Sequence, residues 1–394
     1  MSAIGVVLLG ATGSIGTSAL DAIEDLGGRF RVVGLSCQSR WRELAAIAAQ
    51  VEPEAVAIAS ERAWREARGA NAFGAGVVCL GGAEGVGELA AWDGAEVVLN
   101  GIVGAAGLSA TLAALTAGKR VALANKESLV VGGELVMAAA GGGASRLVPV
   151  DSEHNALWQL LDGRARETVR RVILTASGGP FHGAEPARLA RVTPAEALAH
   201  PTWSMGPKIT VDSATLANKG MEIIEAHHLF GLPYDRIDVV IHPQSIVHGA
   251  IEFVDGTLFA ELGKPDMRIP IRAALTYPDR VPVEDRSDLC SLGGLTFEIP
   301  DTERFPALAL ARRAGESGGT APAVFNAANE VAVAAFLAGR IGFLDIPAIC
   351  ERVLEEHEVQ PARSVEILLA ADGWARQRAA ADSRSSRTPV HPAG

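Results

Sequence analysis

The feature of the sequence that most constrains the fold is a regular alternation of apolar runs and helical stretches across residues 1–150. Six runs have the length and the Val-, Ile- and Leu-rich composition of buried strands: IGVVLLG, FRVVGLS, AVAIAS, GVVCLGG, AEVVLNGI and RVALAN. Strands that alternate with helices in this way predict a parallel sheet covered by helices. We therefore expect a Rossmann-like, doubly wound α/β domain over residues 1–150.

A chain of 394 residues is too long for a single hydrophobic core, so further domains are expected. Residues 151–285 mix helices with the strand-like runs VRRVILTAS, IDVVIHPQS, IVHGAIEF and TLFAEL, which predict a central α/β domain. A passage punctuated by Pro and Gly predicts a linker over 286–311. Amphipathic periodicity predicts a small C-terminal helical domain over 312–380, and polar composition predicts a disordered tail over 381–394.

Charge and cysteine usage narrow the class of protein. A net charge of -11 gives no electrostatic footprint for nucleic acid or for an anionic membrane. The chain starts almost at once with the strand-like IGVVLL and shows neither a basic n-region nor a cleavage site, so we expect no signal peptide, and no apolar stretch approaches the length of a membrane span. Four scattered cysteines indicate a reducing compartment, without a disulfide framework or a thiolate metal site: Cys37, Cys79, Cys290 and Cys350. The sequence therefore predicts a cytoplasmic protein with no nucleic-acid or membrane partner.

The motif GATGSIG places Gly10, Gly13 and Gly16 between the first strand and the helical stretch TSALDAIEDL. Glycines at such a turn let the backbone approach a pyrophosphate, whose charge then lies at a helix N-terminus. A tight turn between strand and helix is the alternative reading. The strand before, the helix after and the second strand at the right distance favour nucleotide binding.

The end of the second strand bears on the choice of cofactor. Cys37, Gln38, Ser39 and Arg40 follow FRVVGLS and include no Asp or Glu to accept a hydrogen bond from a ribose 2'-hydroxyl. A neutral or basic rim favours the 2'-phosphate of NADP over NAD. An ordinary solvated arginine is an equally simple reading of Arg40.

The stretch LVPVDSEHNAL, residues 147–157, places Asp151 and Glu153 directly after an apolar run. In an extended segment both carboxylates would point to the same side. Carboxylate oxygens are hard donors that suit Mg²⁺ or Mn²⁺. Alternatively, Asp151 and Ser152 merely cap a helix that continues through ALWQLL.

Two further stretches of the central domain stand out. In NKGMEIIEAHH, Asn218, Lys219 and Glu222 lie three and four residues apart, so on a helix they share a face. The stretch HPTWSMGPK, residues 200–208, mixes Pro, Gly, Trp and Met in a way that predicts a loop. Packing of Trp203 in a permanent core is the alternative.

Eight motifs carry a resemblance to a known family: GATGSIG, NGIVGAAGL, LANKESLV, PVDSEHNA, LTASGGPF, HPTWSMGPKITVDSATLANKGMEIIEAHHLF, HPQSIVHG and GKPDMRIPI. In this order they resemble 1-deoxy-D-xylulose 5-phosphate reductoisomerases over nearly the whole chain, the tail excluded. The resemblance implies an NADPH-binding N-terminal domain, a central catalytic domain that also supplies dimer contacts, and a C-terminal helical domain. It further implies a homodimer that acts in the non-mevalonate pathway to isoprenoid precursors.

The resemblance assigns roles around the substrate. It implies that the divalent cation is held by three carboxylates, Asp151, Glu153 and Glu222, which together with Lys126 form the catalytic set. The residues that contact the sugar phosphate are then Lys126, Ser152, Glu153, Ser177, His200, Ser213, Asn218, Lys219 and Glu222. Taken one at a time, such residues are more commonly helix caps or solvated side chains, and His248 of HPQSIVHG is more commonly structural.

The resemblance also assigns the cofactor site: Thr12, Gly13, Ser14, Ile15, Gln38, Ser39, Arg40, Asn125, Glu127 and Gly206. It makes residues 200–208 a lid in which Trp203 and Met205 cover the site. The chain departs from the family pattern at Gln38, Ser39 and Arg40, where a glycine, a basic or small residue and an asparagine are usual. The departure concerns the residues that distinguish NADPH from NADH and not those assigned to the reaction.

The implied reaction rearranges 1-deoxy-D-xylulose 5-phosphate with a divalent cation as Lewis acid. NADPH then reduces the resulting aldehyde to 2-C-methyl-D-erythritol 4-phosphate. A semialdehyde dehydrogenase is a competing class, but it needs a nucleophilic cysteine, and none of the four is well placed. A non-catalytic NADP-binding regulator is another class, which the presence of the three carboxylates, Lys126 and Lys219 disfavours.

Overall fold

The computed structural model describes residues 3–141, 146–284 and 288–385. Residue contacts divide the chain into two compact units, each built from three segments. The first unit comprises Met1–Ser128, Leu135–Gln159 and Asp266–Asp288. The second comprises Leu129–Glu134, Leu160–Pro265 and Leu289–Gly394.

Eleven strands form two sheets in the described residues. The strands of the first unit are β1 Ile4–Leu9, β2 Phe30–Cys37, β3 Ala55–Ile58, β4 Val78–Gly81, β5 Val97–Asn100, β6 Arg120–Leu123 and β7 Leu147–Pro149. Those of the second unit are β8 Val169–Ala176, β9 Ile237–Ile241, β10 Val247–Phe253 and β11 Leu258–Leu262. Every strand that the sequence predicted is present, and β7 is added by the apolar run LVP.

Sixteen α-helices are present in the described residues. The first eight are α1 Ser14–Asp25, α2 Trp41–Val51, α3 Glu61–Gly69, α4 Gly82–Ala90, α5 Gly107–Thr116, α6 Glu127–Ala139, α7 Ser152–Leu161 and α8 Pro186–Leu189. The remaining eight are α9 Pro194–Ala197, α10 Pro207–Thr215, α11 Ala217–Phe230, α12 Arg268–Thr276, α13 Ala307–Ser317, α14 Ala321–Leu337, α15 Asp345–Glu355 and α16 Val365–Ser385. None of these described helices combines the length and apolar character that a bilayer crossing requires.

The sheet of the first unit is entirely parallel, with the strand order β4-β3-β2-β1-β5-β6-β7. Its central strands are apolar and buried on both faces, as parallel strands between helices must be. The order reverses direction between β1 and β5, which opens a crevice at the carboxyl ends of these strands. The predicted α/β class and doubly wound parallel sheet are confirmed.

Helix α12 is part of the first unit although it lies late in the sequence. Arg120 of β6 donates hydrogen bonds to the carbonyls of Leu275 (2.7 Å) and Tyr277 (2.8 Å). Arg272 pairs with Asp25 of α1 at 2.9 Å. The last part of the predicted central domain 151–285, from residue 266 onward, therefore belongs to the first unit and contacts its parallel sheet.

The sheet of the second unit has the order β11-β10-β8-β9. Strand β8 runs parallel to β9, whereas β10 is antiparallel to both β8 and β11. Strand β9 is extended on its outer side by a bridge between Ile241 and Glu298. At the opposite side of the sheet, β11 pairs with β10 and forms the edge strand.

The C-terminal helices follow the predicted pattern, with two differences at their boundaries. Helix α13 begins at Ala307, inside the predicted linker 286–311. Helix α16 was not predicted, and it continues to Ser385 through the first residues of the predicted disordered tail. Asp382 is 6% exposed and pairs with Arg352 of α15 at 2.9 Å. This ion pair ties the end of α16 to α15 through a buried carboxylate, and the rest of the predicted tail lies outside the described residues.

Candidate functional site

The glycine-rich turn of the first unit forms a backbone cradle at the end of β1. Gly10 has φ 81°, and a Cβ there would lie 2.7 Å from the carbonyl oxygen of Gly101, which follows β5. A Cβ at Gly16 would lie 2.4 Å from the carbonyl oxygen of Ala11. Only glycine fits at either position. Helix α1 begins at Ser14 with no side-chain cap, so its first amide groups remain available to an anion.

Arg40 lies beside this cradle at the end of β2. Its Nη2 donates to the carbonyl oxygen of Thr12 at 2.5 Å, and its Nη1 pairs with Glu43 at 3.0 Å. About half of the Arg40 side chain is exposed. A guanidinium at this rim, next to the turn of residues 12–15, suits a phosphate group better than a neutral hydroxyl.

A buried polar network holds the loops that follow β5 and β6. Asn125 donates to the carbonyl oxygens of Ile102 (2.8 Å) and Gly104 (2.9 Å) and to Glu127 at 2.9 Å. Its Oδ1 accepts from Ser128. The network continues through two residues that the sequence analysis missed, Thr111 and Asn100. The sequence does mark these two residues, because each is a polar residue in an otherwise apolar run: Asn100 in VVLN and Thr111 in LSATLAALT.

Lys126 and Asp151 form a nearly buried ion pair. The Lys126 Nζ lies 2.5 Å from Asp151 Oδ2, and the two side chains are 5% and 12% exposed. Nδ1 of His154 lies 3.4 Å from the other oxygen, Oδ1. Lys126 follows β6, whereas Asp151 and His154 both follow the neighbouring strand β7, so the sheet topology explains their proximity.

The segment that carries Asp151 is helical, not extended. Helix α7 begins at Ser152, and the Asp151 carbonyl accepts from the amide of Asn155 at 2.8 Å. The extended conformation in which Asp151 and Glu153 would point to the same side is therefore not present, and the alternative, a helix that begins here and continues through ALWQLL, is observed. Asp151 is in the N-cap position, and Glu153 lies in the first helical turn, where the Ser152 hydroxyl donates to it at 2.6 Å. Negative charge is favourable at this helix end.

In the second unit, three predicted substrate-binding side chains meet. His200 Nε2 lies 3.0 Å from the Ser177 hydroxyl and 3.2 Å from the Ser213 hydroxyl. Ser177 follows β8, and a Cβ at Gly179 would lie 2.9 Å from the Ser213 carbonyl oxygen. The glycines of TASGG thus let the end of β8 approach α10 closely.

The hydrogen bonds of His200 define its tautomer. Nδ1 accepts from the backbone amides of Thr202 (3.2 Å) and Trp203 (3.0 Å), so the ring proton is on Nε2. Burial lowers the pKa of His200 below the usual value for histidine. The neutral ring therefore offers an N–H donor toward Ser177 and Ser213.

Helix α11 presents the predicted polar face. Asn218 donates to Glu222 at 2.5 Å, and Lys219 forms an ion pair with the same carboxylate. Lys219 is 3% and Glu222 1% exposed. The helical spacing predicted for these three residues is confirmed. A buried ammonium and a buried carboxylate so close together require each other, because either one alone would carry a large desolvation cost.

Of the predicted loop 200–208, residues 200–206 have no regular structure, whereas Pro207 and Lys208 form the start of α10. Trp203 is half-buried, and its ring centroid lies 6.2 Å from that of His248. His248 is 7% exposed in β10, and burial lowers its pKa to about 4. This histidine is neutral at physiological pH.

The cysteines offer no activated nucleophile. Burial raises the pKa of Cys37 to about 12 and also raises the pKa values of Cys79 and Cys350. Cys290 is exposed in a short 3-10 helix. A thiolate mechanism has no support in these residues.

Comparison with known proteins then decides the family. Three family models match successive parts of the chain: 1-deoxy-D-xylulose 5-phosphate reductoisomerase (residues 6–133), its C-terminal domain (147–230) and the DXP reductoisomerase C-terminal domain (262–378). A reductoisomerase of Xanthomonas axonopodis pv. citri is 54% identical over 375 residues, which are 94% of this chain and 95% of the relative. The chain belongs to the 1-deoxy-D-xylulose 5-phosphate reductoisomerase family.

Other reductoisomerases agree with this assignment. The relative from Pelotomaculum thermopropionicum is 52% identical over 94% of this chain and 96% of its own. A Zymomonas mobilis reductoisomerase solved in complex with NADPH has a TM-score of 0.88 at 45% identity, covering 97% and 100% of the two chains. Another, solved with NADPH, fosmidomycin and magnesium, has a TM-score of 0.91 at 40% identity, covering 97% and 98%.

The family fixes the reaction. This reductoisomerase is an NADP-dependent oxidoreductase that converts 1-deoxy-D-xylulose 5-phosphate to 2-C-methyl-D-erythritol 4-phosphate in isoprenoid synthesis, with NADPH and a divalent metal. The residues present fit both groups. Helix α1 begins at the glycine-rich turn without a side-chain cap, so its first amide groups suit a pyrophosphate, and the acidic side chains predicted to hold the metal supply only hard oxygen donors.

Proposed function

We propose that the reaction is carried out by the residues named above, divided between a phosphate anchor, a cation site and a cofactor cradle. The observation that carries this assignment is the group of donors in the second unit, in which Ser177, His200 and Ser213 share hydrogen bonds. A sugar phosphate is the substrate component that such donors recognise.

The phosphate anchor consists of four donors, Ser177, Ser213, Asn218 and Lys219, with the neutral N–H of His200 alongside. Hydroxyl, amide and ammonium groups together satisfy the several oxygens of a phosphate. Lys219 is buried and paired with Glu222, so its charge is held in place before the substrate arrives. This preorganisation reduces the entropy lost on binding.

The cation site consists of Asp151, Glu153 and Glu222. A bound Mg²⁺ or Mn²⁺ supplies Lewis-acid stabilisation of the oxygen atoms at the reacting carbons. Ser152 and Lys126 contact the reacting part of the substrate beside it. The ion pair between Lys126 and Asp151 orients the ammonium group toward this region.

The cofactor cradle consists of the turn Thr12–Ile15, the rim residues Gln38, Ser39 and Arg40, and the pair Asn125 and Glu127. Gly206 extends it from the loop. In this assignment Asn125 acts mainly by position, because its amide already donates to the loop after β5. Arg40 contributes the positive charge that a 2'-phosphate requires.

The loop of residues 200–206 serves as a lid. His200 anchors its beginning through bonds to Thr202 and Trp203, whereas its middle, with Trp203 and Met205, covers the substrate. A lid of this kind excludes water from a reactive intermediate. No group is assigned to the individual proton transfers.

The decisive experiment follows NADPH oxidation with 1-deoxy-D-xylulose 5-phosphate as substrate, with and without Mg²⁺ or Mn²⁺. We expect turnover only when substrate and cation are both present, and the two cations compared at equal concentration identify the better activator. NADPH binding without substrate-dependent oxidation would instead favour the non-catalytic regulator.

We also propose that the active form is a cytoplasmic homodimer joined through the edge of the second sheet. Strand β11 exposes Leu258 (60%), Phe259 (40%) and Leu262 (36%), an apolar edge that a second copy would cover. Light scattering should report twice the chain mass, and Phe259→Lys should yield monomers. Leu369→Lys, at an apolar position of α16 that is 51% exposed, is the matched control and should leave the mass unchanged. Fractionation of the source cells tests the cytoplasmic location.

A further inference from the structure

Two helices that carry proposed phosphate donors meet at one strained residue. Leu216 ends α10 and precedes α11 with φ 62° and ψ 10°, a left-handed conformation that is uncommon for leucine. Ser213 lies just before it, and Asn218 and Lys219 lie just after it. We call α10, Leu216 and α11 the phosphate elbow. Its bend fixes the relative positions of these donors.

One arm of the phosphate elbow is held by a buried polar clamp. Asp212 is 1% exposed and accepts from Lys208 Nζ at 2.8 Å, one helical turn earlier in α10. Its other oxygen accepts from the Nδ2 of Asn329 in α14 at 2.7 Å. Asn329 is completely buried. The clamp therefore ties the helix of Ser213 to the C-terminal helices through a charged group.

The other arm rests on a backbone contact. A Cβ at Gly220 of α11 would lie 2.5 Å from the Cβ of Ala311 and 3.3 Å from the carbonyl oxygen of Ala307, both in α13. Any larger residue at Gly220 would push the two helices apart. Each arm of the phosphate elbow is thus braced by a different C-terminal helix.

We propose that Asp212 is a positioning residue for substrate binding, through which α14 sets the geometry of the phosphate elbow. Asp212 does not contact the substrate; it acts by fixing the neighbouring Ser213 and the first turn of α10. The inference rests on the proposed phosphate anchor. It gives the C-terminal helices a part in recognition of the sugar phosphate, beyond completing the hydrophobic core.

The physical reason lies in the cost of moving a buried charge. Asp212→Asn removes the charged group that joins Lys208 to Asn329. Lys208 keeps its attraction to the carboxylate of Glu330 in α14, but the segment that carries Ser213 is held less firmly against α14. Ser213 then shifts relative to Asn218 and Lys219. A displacement of about 1 Å in a binding group can cost up to two orders of magnitude in rate or affinity.

The test compares Asp212→Asn with wild type in steady-state kinetics of the intact enzyme. We expect the KM for the sugar phosphate to rise roughly tenfold or more, while the KM for NADPH stays within about twofold. Inhibition by inorganic phosphate should weaken in parallel with the substrate KM. Asn329→Ser, which keeps the ion pair but removes the amide donor, should shift the same parameters in the same direction by less.

The matched control is Asp382→Asn. Asp382 is also buried and also paired at 2.9 Å, but with Arg352 and Arg378 of α15 and α16, away from the phosphate elbow. We expect it to lower thermal stability without changing the substrate KM. The proposal is overturned if Asp382→Asn raises the substrate KM as much as Asp212→Asn does, or if Asp212→Asn raises both KM values equally.

Two further results separate the failure of this proposal from failure of the phosphate anchor. If Lys219→Ala raises the substrate KM but Asp212→Asn and Asn329→Ser do not, only the clamp is refuted. If Lys219→Ala has no effect either, the phosphate anchor itself is wrong. Should Asp212→Asn fail to fold, Asn329→Ser alone decides: an unchanged substrate KM in that variant overturns the proposal.

Discussion

At the scale of single residues, the proposed cation ligands make a prediction about metal dependence. Asp151→Asn, Glu153→Gln and Glu222→Gln should each lower turnover sharply and raise the Mg²⁺ or Mn²⁺ concentration required for half-maximal activity. Amide oxygens still coordinate a cation, but they bring no charge. Turnover measured across a metal titration checks this, and NADPH binding should stay near normal. Normal activity of any one variant at limiting metal would remove that residue from the site.

Arg40 makes a prediction about the choice of cofactor. If it binds the 2'-phosphate, Arg40→Ala should weaken NADPH by about 10- to 100-fold and NADH far less, because only NADPH loses a charge-assisted contact of about 1.5–3 kcal/mol. Arg42→Ala is the matched control, since Arg42 is exposed and stacks on Trp41. Equal weakening of both cofactors would show instead that Arg40 acts through its bond to Thr12.

His248 makes a prediction about stability. Burial lowers its pKa from 6.5 to about 4, so below pH 6.5 the unfolded chain binds a proton that the folded chain excludes. This histidine therefore favours the folded state fully above pH 6.5, and that contribution falls by about 2 kcal/mol between pH 7 and pH 5. Urea unfolding at both pH values should show a smaller loss for His248→Gln than for wild type. Equal losses would mean that His248 titrates normally.

At the scale of secondary-structure elements, the polar face of α11 makes a prediction about which ligand Lys219 helps to bind. Lys219→Ala should raise the substrate KM by about one to two orders of magnitude, because a charged contact of about 1.5–3 kcal/mol is lost. The KM for NADPH should not change. Because Lys219 also pairs with Glu222, Lys219→Arg is a useful companion that keeps the charge and should be closer to wild type. A normal substrate KM in Lys219→Ala would place the phosphate elsewhere.

The same scale shows which elements can be predicted from the sequence. The strands were predictable because buried parallel strands need continuous apolar runs, as in IGVVLL and AVAI. The end of α16 was not, since its sequence is polar and its order depends on Asp382 pairing with a residue 30 positions away. Likewise, the motifs identified Ser177 and His200, but only the fold brings their side chains to 3.0 Å.

At the scale of the whole molecule, the first unit is built from three separate segments of the chain. This organisation predicts that an N-terminal fragment without α12 is less stable than the same residues in the full chain. A chain that ends at Leu161 contains all seven strands of the parallel sheet but lacks α12. We expect limited proteolysis to degrade this fragment much faster than the same residues within the full chain, because α1 and β6 lose their packing against α12. Adding residues 266–288 as a separate peptide should slow the digestion. Equal resistance of fragment and full chain would show that α12 is dispensable for the sheet.

The hydrogen bonds from Arg120 to Leu275 and Tyr277 span 155 and 157 positions of sequence, and this separation sets an order of events during translation. A ribosome that has released the seven-stranded sheet from its exit tunnel must still add more than a hundred residues before the carbonyl acceptors of Arg120 emerge. During that interval the guanidinium of Arg120 remains hydrated, and the surface that α12 covers in the folded chain remains accessible to chaperones. All strands of the first sheet are therefore synthesised before those of the second, but the first unit lacks α12 until the strands of the second sheet have also left the ribosome.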